Sequence, residues 1–255
     1  MYTHGHAESV LQSHRWRTAA NSAGYLLESL PPGTSVLDVG CGPGTITQDL
    51  AALVAEGLVV GLDRQPAAFP AGDGLASWVA ADAYRLPFCD GSWDVVHAHQ
   101  VLQHVPEPVA ALRELARVAR VGGLVAARDA DYGAMTWWPE DPQLDAWRDT
   151  YSRVARANGG EPDAGRRLLS WALEADLDPT PSASTWCFAT PADRAWWGGT
   201  WAERTVGSDF GSRAVELGLA TRDELIEMSA AWRRWAAAPD GWWIVPSSEM
   251  VCQVS

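Results

Sequence analysis

A glycine-rich segment separates an apolar run from a helix-like segment early in the chain. It reads Val36-Leu37-Asp38-Val39-Gly40-Cys41-Gly42-Pro43-Gly44-Thr45. Glycine lets a backbone approach a ligand closely, and the N-terminus of a helix presents free N–H groups to it. A strand, a glycine turn and a helix in this order are typical of a site for a nucleotide-type ligand. Glycines also serve tight turns for geometry alone, so Gly40 and Gly42 need support from other residues.

Three carboxylates lie at or near the ends of three successive apolar runs. Asp38 is inside the first run, Asp63 ends the second, and Asp82 ends the third and is followed by Ala83. A carboxylate in the position of Asp63 can accept both hydrogen bonds of a ribose diol. Asp82 can accept from the exocyclic amine of adenine while the N–H of Ala83 bonds a ring nitrogen. Because buried carboxylates need partners, we interpret all three as ligand contacts.

The same residues discriminate between nucleotide ligands. A dinucleotide pyrophosphate would be repelled by Asp38, and Thr45 replaces the third glycine of the dinucleotide-binding motif. A ligand that carries a sulfonium and an ammonium would instead be attracted by Asp38 and by the net charge of -13. The residues therefore favour S-adenosylmethionine over NAD as the cofactor, and an NAD-dependent oxidoreductase is kept as an alternative.

Composition excludes several other classes of function. The chain has 255 residues, with 32 acidic residues against 19 basic ones, and all of the basic residues are arginine. The absence of lysine excludes Schiff-base chemistry and a Walker-type phosphate loop, and the acidic balance disfavours nucleic acid as a partner. No apolar run has the length of a membrane span or of a secretory signal. The four cysteines are scattered, which indicates a reducing cytoplasm and no zinc cluster.

The apolar periodicity predicts a doubly covered parallel sheet. A helical segment over 6–30 is followed by alternating strands and helices, with strands at 35–39, 58–62, 78–81, 94–99 and 124–128. The helix before the fifth strand begins near Pro106 and ends at Gly122-Gly123. Such α/β sheets bind ligands at the C-terminal ends of their strands, near the point where the strand order reverses.

The second half of the chain departs from this rhythm. It predicts helices over 144–157 and 166–175, a strand over 182–189, two or three Trp-rich helices within 191–238, and a last strand over 250–254. We interpret the chain as a single domain, with N-terminal helices in 1–30, a cofactor-binding core in 34–130, and cap insertions for an acceptor in 131–163 and 190–240.

Four segments together carry a resemblance to a known family. They read VLDVGCGPGTIT, GLD, ADAYRLPFCDGSWDVV and HAHQVLQHVPEPVAALRELARVARVGGLV. In this order, over about residues 34–130, the chain resembles a class I S-adenosylmethionine-dependent methyltransferase of the ubiquinone/menaquinone-type branch. The resemblance implies a Rossmann-like sheet of seven strands, the last of them antiparallel, with S-adenosylmethionine as the cofactor.

The resemblance also implies roles for individual residues. Gly40 and Gly42 would line the methionine part of the cofactor, and His99 and Gln100 would lie close to it. Asp63 would bind the ribose with Arg64 beside the adenine, and Asp82 and Ala83 would contact the adenine edge. An arginine of the N-terminal segment, Arg15 or Arg17, would pair with the cofactor's carboxylate. The chain departs from the family at Arg120-Val121-Gly122-Gly123, where lysine and proline are usual, and in the proline-broken segment after Asp63.

Methyl transfer needs a base only for an acceptor that loses a proton. His99 and His104, after the fourth strand, and Asp129, after the fifth, are the candidate catalytic residues. Asp131 and Tyr132 compete with Asp129 for this role. His97, His99 and His104 are also close in sequence, but no carboxylate or cysteine nearby completes a metal-ligand set, so no metal is predicted.

Fifteen tryptophans, most of them after position 130, are the remaining unusual feature. Most should pack in a core, whereas those in the predicted insertions would offer aromatic walls to a flat acceptor. The chain is therefore predicted to transfer a methyl group to a small aromatic or apolar organic acceptor, at a carbon, oxygen or nitrogen atom. A non-transferring cyclase or regulatory protein of the same fold is the alternative. We predict no membrane insertion and leave a homodimer open. The residues assigned to the aromatic walls are Trp137, Trp138, Trp196, Trp197 and Trp201.

Overall fold

The computed structural model describes residues 16–66, 69–70 and 74–255, which belong to two compact units. The sheet unit contains the described residues up to Ala130, together with 164–184 and 247–255. The aromatic unit contains 131–163 and 185–246. The predicted insertions at 131–163 and 190–240 fall within the aromatic unit, and their role as a cap over an acceptor stays a prediction.

The sheet unit is built on the predicted parallel sheet. Its strands run in the order β3-β2-β1-β4-β5-β8, and β7 also pairs with β8. The contacts among the first five strands are parallel, whereas β8 is antiparallel to β5. The prediction of a mostly parallel sheet that ends with an antiparallel strand is confirmed. The strands of this unit are β1 Val36–Val39, β2 Val59–Asp63, β3 Ser77–Ala80, β4 Trp93–His99, β5 Ala119–Ala130, β7 Asp178–Phe188 and β8 Trp242–Gln253, of which β7 and β8 continue into the aromatic unit.

Apolar residues that alternate along the strands bury the two faces of this sheet in separate cores. Leu37 and Val96 face one core, whereas their neighbours Val36 and Val95 face the other. The strand order reverses between β1 and β4, so the carboxyl ends of these two strands border the crevice where such sheets bind ligands. Helices α3 Pro108–Val118 and α5 Leu168–Glu174 cover the first core, and α1 Ala19–Ser22 and α2 Thr45–Val54 cover the second.

The N-terminal segment differs from the predicted helix over 6–30. Residues 6–15 lie outside the described part of the chain. From residue 16 to residue 30 the helical elements are α1 and a 3-10 turn over Leu27–Ser29. Thr18 and Asn21 form a capping box around α1, and the following residues turn so that Ala23 and Leu26 are buried against the sheet. In the described part of this segment, two short elements thus produce the apolar spacing from which a longer helical segment was predicted.

Strand limits at the other edge also differ from prediction. β5 begins at Ala119, so that Gly122 and Gly123 lie within the strand instead of stopping a helix. The strand accommodates them because Gly122 has a φ of 76° and the β4–β5 register shifts between Trp93 and Val95. The segment between Asp131 and residue 144, where the sequence predicted no strand, contains β6 Thr136–Trp138, which pairs with the start of β8.

The aromatic unit has a core of its own. Its helices are α4 Pro142–Ala157, α6 Pro191–Gly207, α7 Asp209–Glu216 and α8 Arg222–Ala237. The Trp147 ring lies 4.7 Å from that of Trp201 and 4.8 Å from that of Trp232, and all three side chains are buried. Trp197 also packs against Trp201, so these two residues, which we expected in an aromatic wall, belong to the core. No helix in the described part of the chain is long and apolar enough to cross a bilayer.

Candidate active site

The glycine turn after β1 depends on glycine at two positions. Gly40 has a φ of 71° and Gly44 a φ of 76°, which side chains rarely adopt. A Cβ atom on Gly40 would lie 2.3 Å from the Cγ2 atom of Val101, and one on Gly44 would lie 2.2 Å from the Trp78 ring. The turn is anchored to β2 because the N–H of Gly40 donates to the carbonyl of Leu62 at 2.7 Å. The backbone itself therefore forms the surface of this edge.

Asp63 lies beside this turn at the end of β2. Its Oδ2 atom accepts the N–H of Gly42 at 3.0 Å, and its Oδ1 atom accepts the N–H of Gln65 at 2.9 Å. The fold thus brings together Gly42 and Asp63, which the sequence assigned to two parts of one cofactor. A partly exposed carboxylate next to a glycine turn suits a ribose diol, because each oxygen retains a further lone pair. The following residue, Arg64, is exposed.

Asp82 and Ala83 follow β3 at the same edge of the sheet. Asp82 is exposed, and its Oδ1 atom accepts the N–H of Tyr84 at 3.0 Å. Its carbonyl accepts the N–H of Arg85, which holds the loop in a turn. Burial raises the pKa of Tyr84, whose hydroxyl accepts the N–H of Glu107 at 2.9 Å. Within the described part of the chain, this loop engages one Asp82 oxygen and leaves the other available to an amine donor.

Asp38 differs from its predicted role as a direct ligand contact. It is buried, its Oδ2 atom accepts the hydroxyl of Thr47 at 2.5 Å, and its Oδ1 atom lies 2.8 Å from Nδ1 of His97. Both oxygens are therefore engaged by the protein, and Asp38 can act on a cofactor through its charge. His97, which the sequence placed in a histidine cluster, is a partner of this carboxylate. No metal-binding group of three or more ligands occurs among the described residues.

The end of β4 carries backbone strain. Gln100 has a φ of 53°, a conformation that costs free energy for a residue with a Cβ atom and that concentrates at functional sites. Its N–H donates to the carbonyl of Arg128 at 2.7 Å, and its Oε1 atom accepts from Nη2 of Arg17 at 2.7 Å. His99 is buried one residue earlier. Arg15, predicted to bind the cofactor, lies outside the described residues, whereas Arg17 reaches this edge.

Asp129 is the carboxyl group best suited to proton transfer. It is fully buried at the end of β5, and its Oδ1 atom accepts the N–H of Gln103 at 3.0 Å. Its Oδ2 atom has no hydrogen-bond partner in the part of the chain that the structure describes. Burial raises the pKa of Asp129 to about 7. A carboxyl group with this pKa exchanges a proton near neutral pH and can act as a general base.

The geometry argues against His104 as the base. A side-chain amide atom of Gln103 lies 3.1 Å from its Nε2 atom, and this ring nitrogen is engaged whichever amide atom faces it. Burial, with a smaller contribution from the charge of Arg17, lowers the pKa of His104 to about 3. A neutral imidazole with so low a pKa accepts protons poorly at pH 7. The competing Asp131 carboxylate accepts the N–H of Ala134 at 3.0 Å, which gives it a capping role.

A buried ion pair beside this site was missed by the sequence analysis. Nε of Arg128 lies 3.3 Å from Oε1 of Glu249 and 3.1 Å from the Ser184 hydroxyl, and Ser182 donates to the other Glu249 oxygen at 2.8 Å. Burial lowers the pKa of Arg128, and the negative charge of Glu249 opposes that effect. These residues come from three distant strands, so no local spacing could have identified them.

Comparison with known proteins assigns the fold and the glycine turn to a family. The family described as a methyltransferase domain matches residues 37–127, from β1 into β5. An uncharacterized methyltransferase of Schizosaccharomyces pombe is 32% identical over 267 residues, which cover 98% of this chain and 95% of that protein. The chain belongs to the class I S-adenosylmethionine-dependent methyltransferases. Its cofactor is therefore S-adenosylmethionine, and an NAD-dependent oxidoreductase is ruled out as its family.

The chain is also similar to methyltransferases that are named for particular acceptors. A demethylmenaquinone methyltransferase of a Roseiflexus species is 37% identical over 145 residues, which cover 52% of this chain and 58% of that protein. The structure of a phosphoethanolamine N-methyltransferase of Haemonchus contortus, in complex with S-adenosyl-L-methionine, aligns with a TM-score of 0.59 and 14% identity. This alignment covers 97% of the chain and 57% of that protein, and at this identity it supports the fold alone.

Proposed function

We propose that this methyltransferase methylates a small aromatic or apolar organic acceptor that loses a proton, and that Asp129 receives the proton. The observation that carries the proposal is the buried Asp129 carboxyl group at the C-terminal end of β5, with one oxygen unpartnered among the described residues. Its pKa of about 7 suits an exchange of protons near neutral pH. A phenol, a quinol carbon or an amine cation is such an acceptor.

The cofactor assignment rests on the glycine turn and on the carboxylates of Asp63, which is partly exposed, and Asp82, which is exposed. Gly40 and Gly42 would lie along the methionine part, Asp63 would accept from the ribose hydroxyls, and Asp82 with Ala83 would receive the adenine edge. The hydrogen bond from the N–H of Gly42 to the Asp63 carboxylate supports this assignment, since it holds the carboxylate beside the turn. S-adenosylmethionine supplies an activated methyl group, so the protein's own residues need only to orient the reactants and to move a proton.

At the end of β4, His99 and Gln100 would border the methionine part. The strained backbone of Gln100 and its bond to Arg17 support this proposal, because the surrounding structure has to maintain that conformation. Arg17 and Arg15 are both proposed for the cofactor's carboxylate, and the hydrogen bond from Arg17 to Gln100 supports Arg17. Arg64 would lie beside the adenine, where an exposed guanidinium can stack on the ring.

The acceptor class is supported by composition and by relatives. A net charge of -13 disfavours nucleic acid, and the demethylmenaquinone methyltransferase carries a quinone-type acceptor in its name. A quinol ring is flat, apolar and acidic at a hydroxyl group, which matches the requirement for a base. The atom that receives the methyl group is left to experiment, because a phenol oxygen and an activated ring carbon both release a proton.

Incubation with deuterium-labelled S-adenosylmethionine and a panel of quinols, phenols, amines and thioethers tests the acceptor class. We expect a labelled product from one of these classes by mass spectrometry, together with S-adenosylhomocysteine. Labelled product only from acceptors without an ionisable proton, such as thioethers, would contradict the proposal.

The role of Asp129 is tested with Asp129→Asn and the acceptor found in that screen. We expect kcat of the wild type to rise with pH through an apparent pKa near 7, and kcat of the variant to fall by 10²–10⁴-fold and to lose that dependence. The affinity for S-adenosylhomocysteine should change less than threefold in the same variant. An unchanged pH profile in Asp129→Asn would assign the proton to another group.

The cofactor site is tested separately by calorimetric titration with S-adenosylhomocysteine. Asp63→Ala removes two hydrogen-bond acceptors and frees the N–H of Gly42, so we expect the affinity to fall by about 100-fold. Asp131→Asn is the matched control, because its carboxylate caps a 3-10 turn in the aromatic unit. Equal affinities for Asp63→Ala and the wild type would remove Asp63 from the cofactor site.

A further inference from the structure

A chain of three buried polar side chains connects the two ends of the glycine turn to β4. Asp38 lies on β1 just before Gly40, and Thr47 lies in the first turn of α2, just after Gly44. The Asp38 carboxylate receives the Thr47 hydroxyl at 2.5 Å and lies 2.8 Å from Nδ1 of His97. Asp38 and His97 are also register partners between β1 and β4. One carboxylate is thus held from both sides of the turn and from the neighbouring strand.

The hydrogen-bond pattern fixes which nitrogen of His97 carries a proton. A carboxylate accepts only, so the short contact requires a proton on Nδ1. In the neutral ring the other nitrogen, Nε2, is then an acceptor. Nε2 is buried and has no hydrogen-bond partner within the described residues. The His97 ring centroid lies 6.4 Å from that of Tyr25 in the N-terminal segment.

We propose that His97 is a positioning residue for the cofactor, which acts through Asp38. Its Nδ1–H holds the carboxylate against Thr47, and this arrangement keeps β1, the start of α2 and β4 together around the glycine turn. The same bonds place a fixed negative charge behind the turn, where a cationic sulfonium ligand benefits from it. This inference rests on the proposed binding of S-adenosylmethionine at the turn.

The chemistry of the His97 contact makes two substitutions a matched pair. The side-chain amide nitrogen of asparagine can take the place of Nδ1 and donate to Asp38. The amide of glutamine reaches the position of Nε2 instead and leaves the Asp38 Oδ1 atom without its donor. His97→Asn and His97→Gln therefore differ mainly in the hydrogen bond to the Asp38 Oδ1 atom, which His97→Asn keeps and His97→Gln loses. Thr47→Ser and Thr47→Val form a second pair, which keeps or removes the hydroxyl donor to Oδ2.

Calorimetric titration with S-adenosylhomocysteine tests the proposal in the full chain. We expect His97→Gln and Thr47→Val each to weaken binding about tenfold, which corresponds to about 1.4 kcal/mol. His97→Asn and Thr47→Ser should stay within threefold of the wild type. With an acceptor in hand, kcat at saturating cofactor should be unchanged in the four variants while KM for S-adenosylmethionine follows the binding data.

Three outcomes separate this inference from others. Equal weakening in His97→Asn and His97→Gln would overturn it, since the effect would then follow from lost packing. Stronger weakening in His97→Asn than in His97→Gln would also overturn it, because it would assign the role to Nε2 on the side of Tyr25. If one His97 variant fails to fold, the Thr47 pair decides. Equal weakening of cofactor binding in Thr47→Ser and Thr47→Val would then overturn the inference. No binding to the wild type would instead count against the proposed cofactor site, whatever the variants do.

Discussion

Replacement of Asp129 by asparagine should favour the folded state more at high pH than at low pH. In the folded protein the Asp129 carboxyl group has a pKa of about 7, against an ordinary value of 3.8. The unfolded chain therefore releases this proton near pH 4, and the folded chain releases it near pH 7. Between these values the folded state binds more protons, so the contribution of Asp129 to stability falls as the pH rises and is lowest above pH 7.

The magnitude follows from the difference between the two pKa values. Each pH unit corresponds to about 1.4 kcal/mol, so Asp129 destabilises the folded state by about 4 kcal/mol at pH 8 and by about 1.5 kcal/mol at pH 5. Asparagine keeps an oxygen to accept the N–H of Gln103 and adds a buried donor, with a cost of about 1–3 kcal/mol at every pH. The gain from the substitution should therefore be about 3 kcal/mol larger at pH 8 than at pH 5, independently of that cost.

Urea unfolding of the wild type and of Asp129→Asn at pH 5 and pH 8 measures this difference directly. The corresponding change in Tm should be about 6–12 °C, since 1 kcal/mol moves Tm by about 2–4 °C in a chain of this size. Val118→Ala is the control, because it removes buried apolar volume and should cost the same at both pH values. If the free energy of unfolding changed by the same amount between pH 5 and pH 8 in the wild type and in Asp129→Asn, the argument that burial raises the pKa of Asp129 would be refuted.

Two further predictions concern the turn and the buried ion pair. Gly44→Ala should lower Tm by several degrees, because the new Cβ atom would lie 2.2 Å from the Trp78 ring and the residue has a φ of 76°. Gly199→Ala is the control: Gly199 lies inside α6, its Cβ would have no atom within 4 Å, and the substitution should raise the free energy of unfolding by about 0.5–1 kcal/mol. Equal Tm values for the two variants would contradict the geometry. Glu249→Gln should lower the free energy of unfolding by about 3 kcal/mol in urea titrations, because Arg128 loses its buried counter-charge, and an unchanged value would show that the pair is solvated.

Local patterns were sufficient for the elements that frame the cofactor site. The apolar run over 35–39 predicted β1 within one residue of its limits, and Ile46, Leu50 and Val54 have the spacing of a buried helical face, which α2 forms. These signals succeed because each strand of a covered parallel sheet is apolar along its length, and each helix buries one stripe. The N-terminal segment failed under the same reasoning, because a capped turn and a 3-10 turn bury residues at the spacing of a longer helix.

The sequence was less informative about what each polar residue contacts. Asp38 and Asp63 are equivalent as acidic residues near strand ends, yet one is buried against His97 and Thr47 and the other bonds the turn at Gly42. The difference follows from the pleat and the register, which direct Asp38 toward its register partner on β4. His104 and Asp129 were likewise equal candidates for a base, and burial moves their pKa values in opposite directions because it disfavours the charged form of each group.

By itself the sequence determined the class of fold, the family and the cofactor, because the glycine turn and the order of strands and helices are encoded in contiguous residues. It also determined that lysine chemistry plays no part, since the chain has no lysine. The tertiary structure alone decided that Asp129 is a titratable group near pH 7 and that Arg128 pairs with Glu249. Those properties depend on desolvation and on contacts between distant strands, neither of which the local sequence specifies.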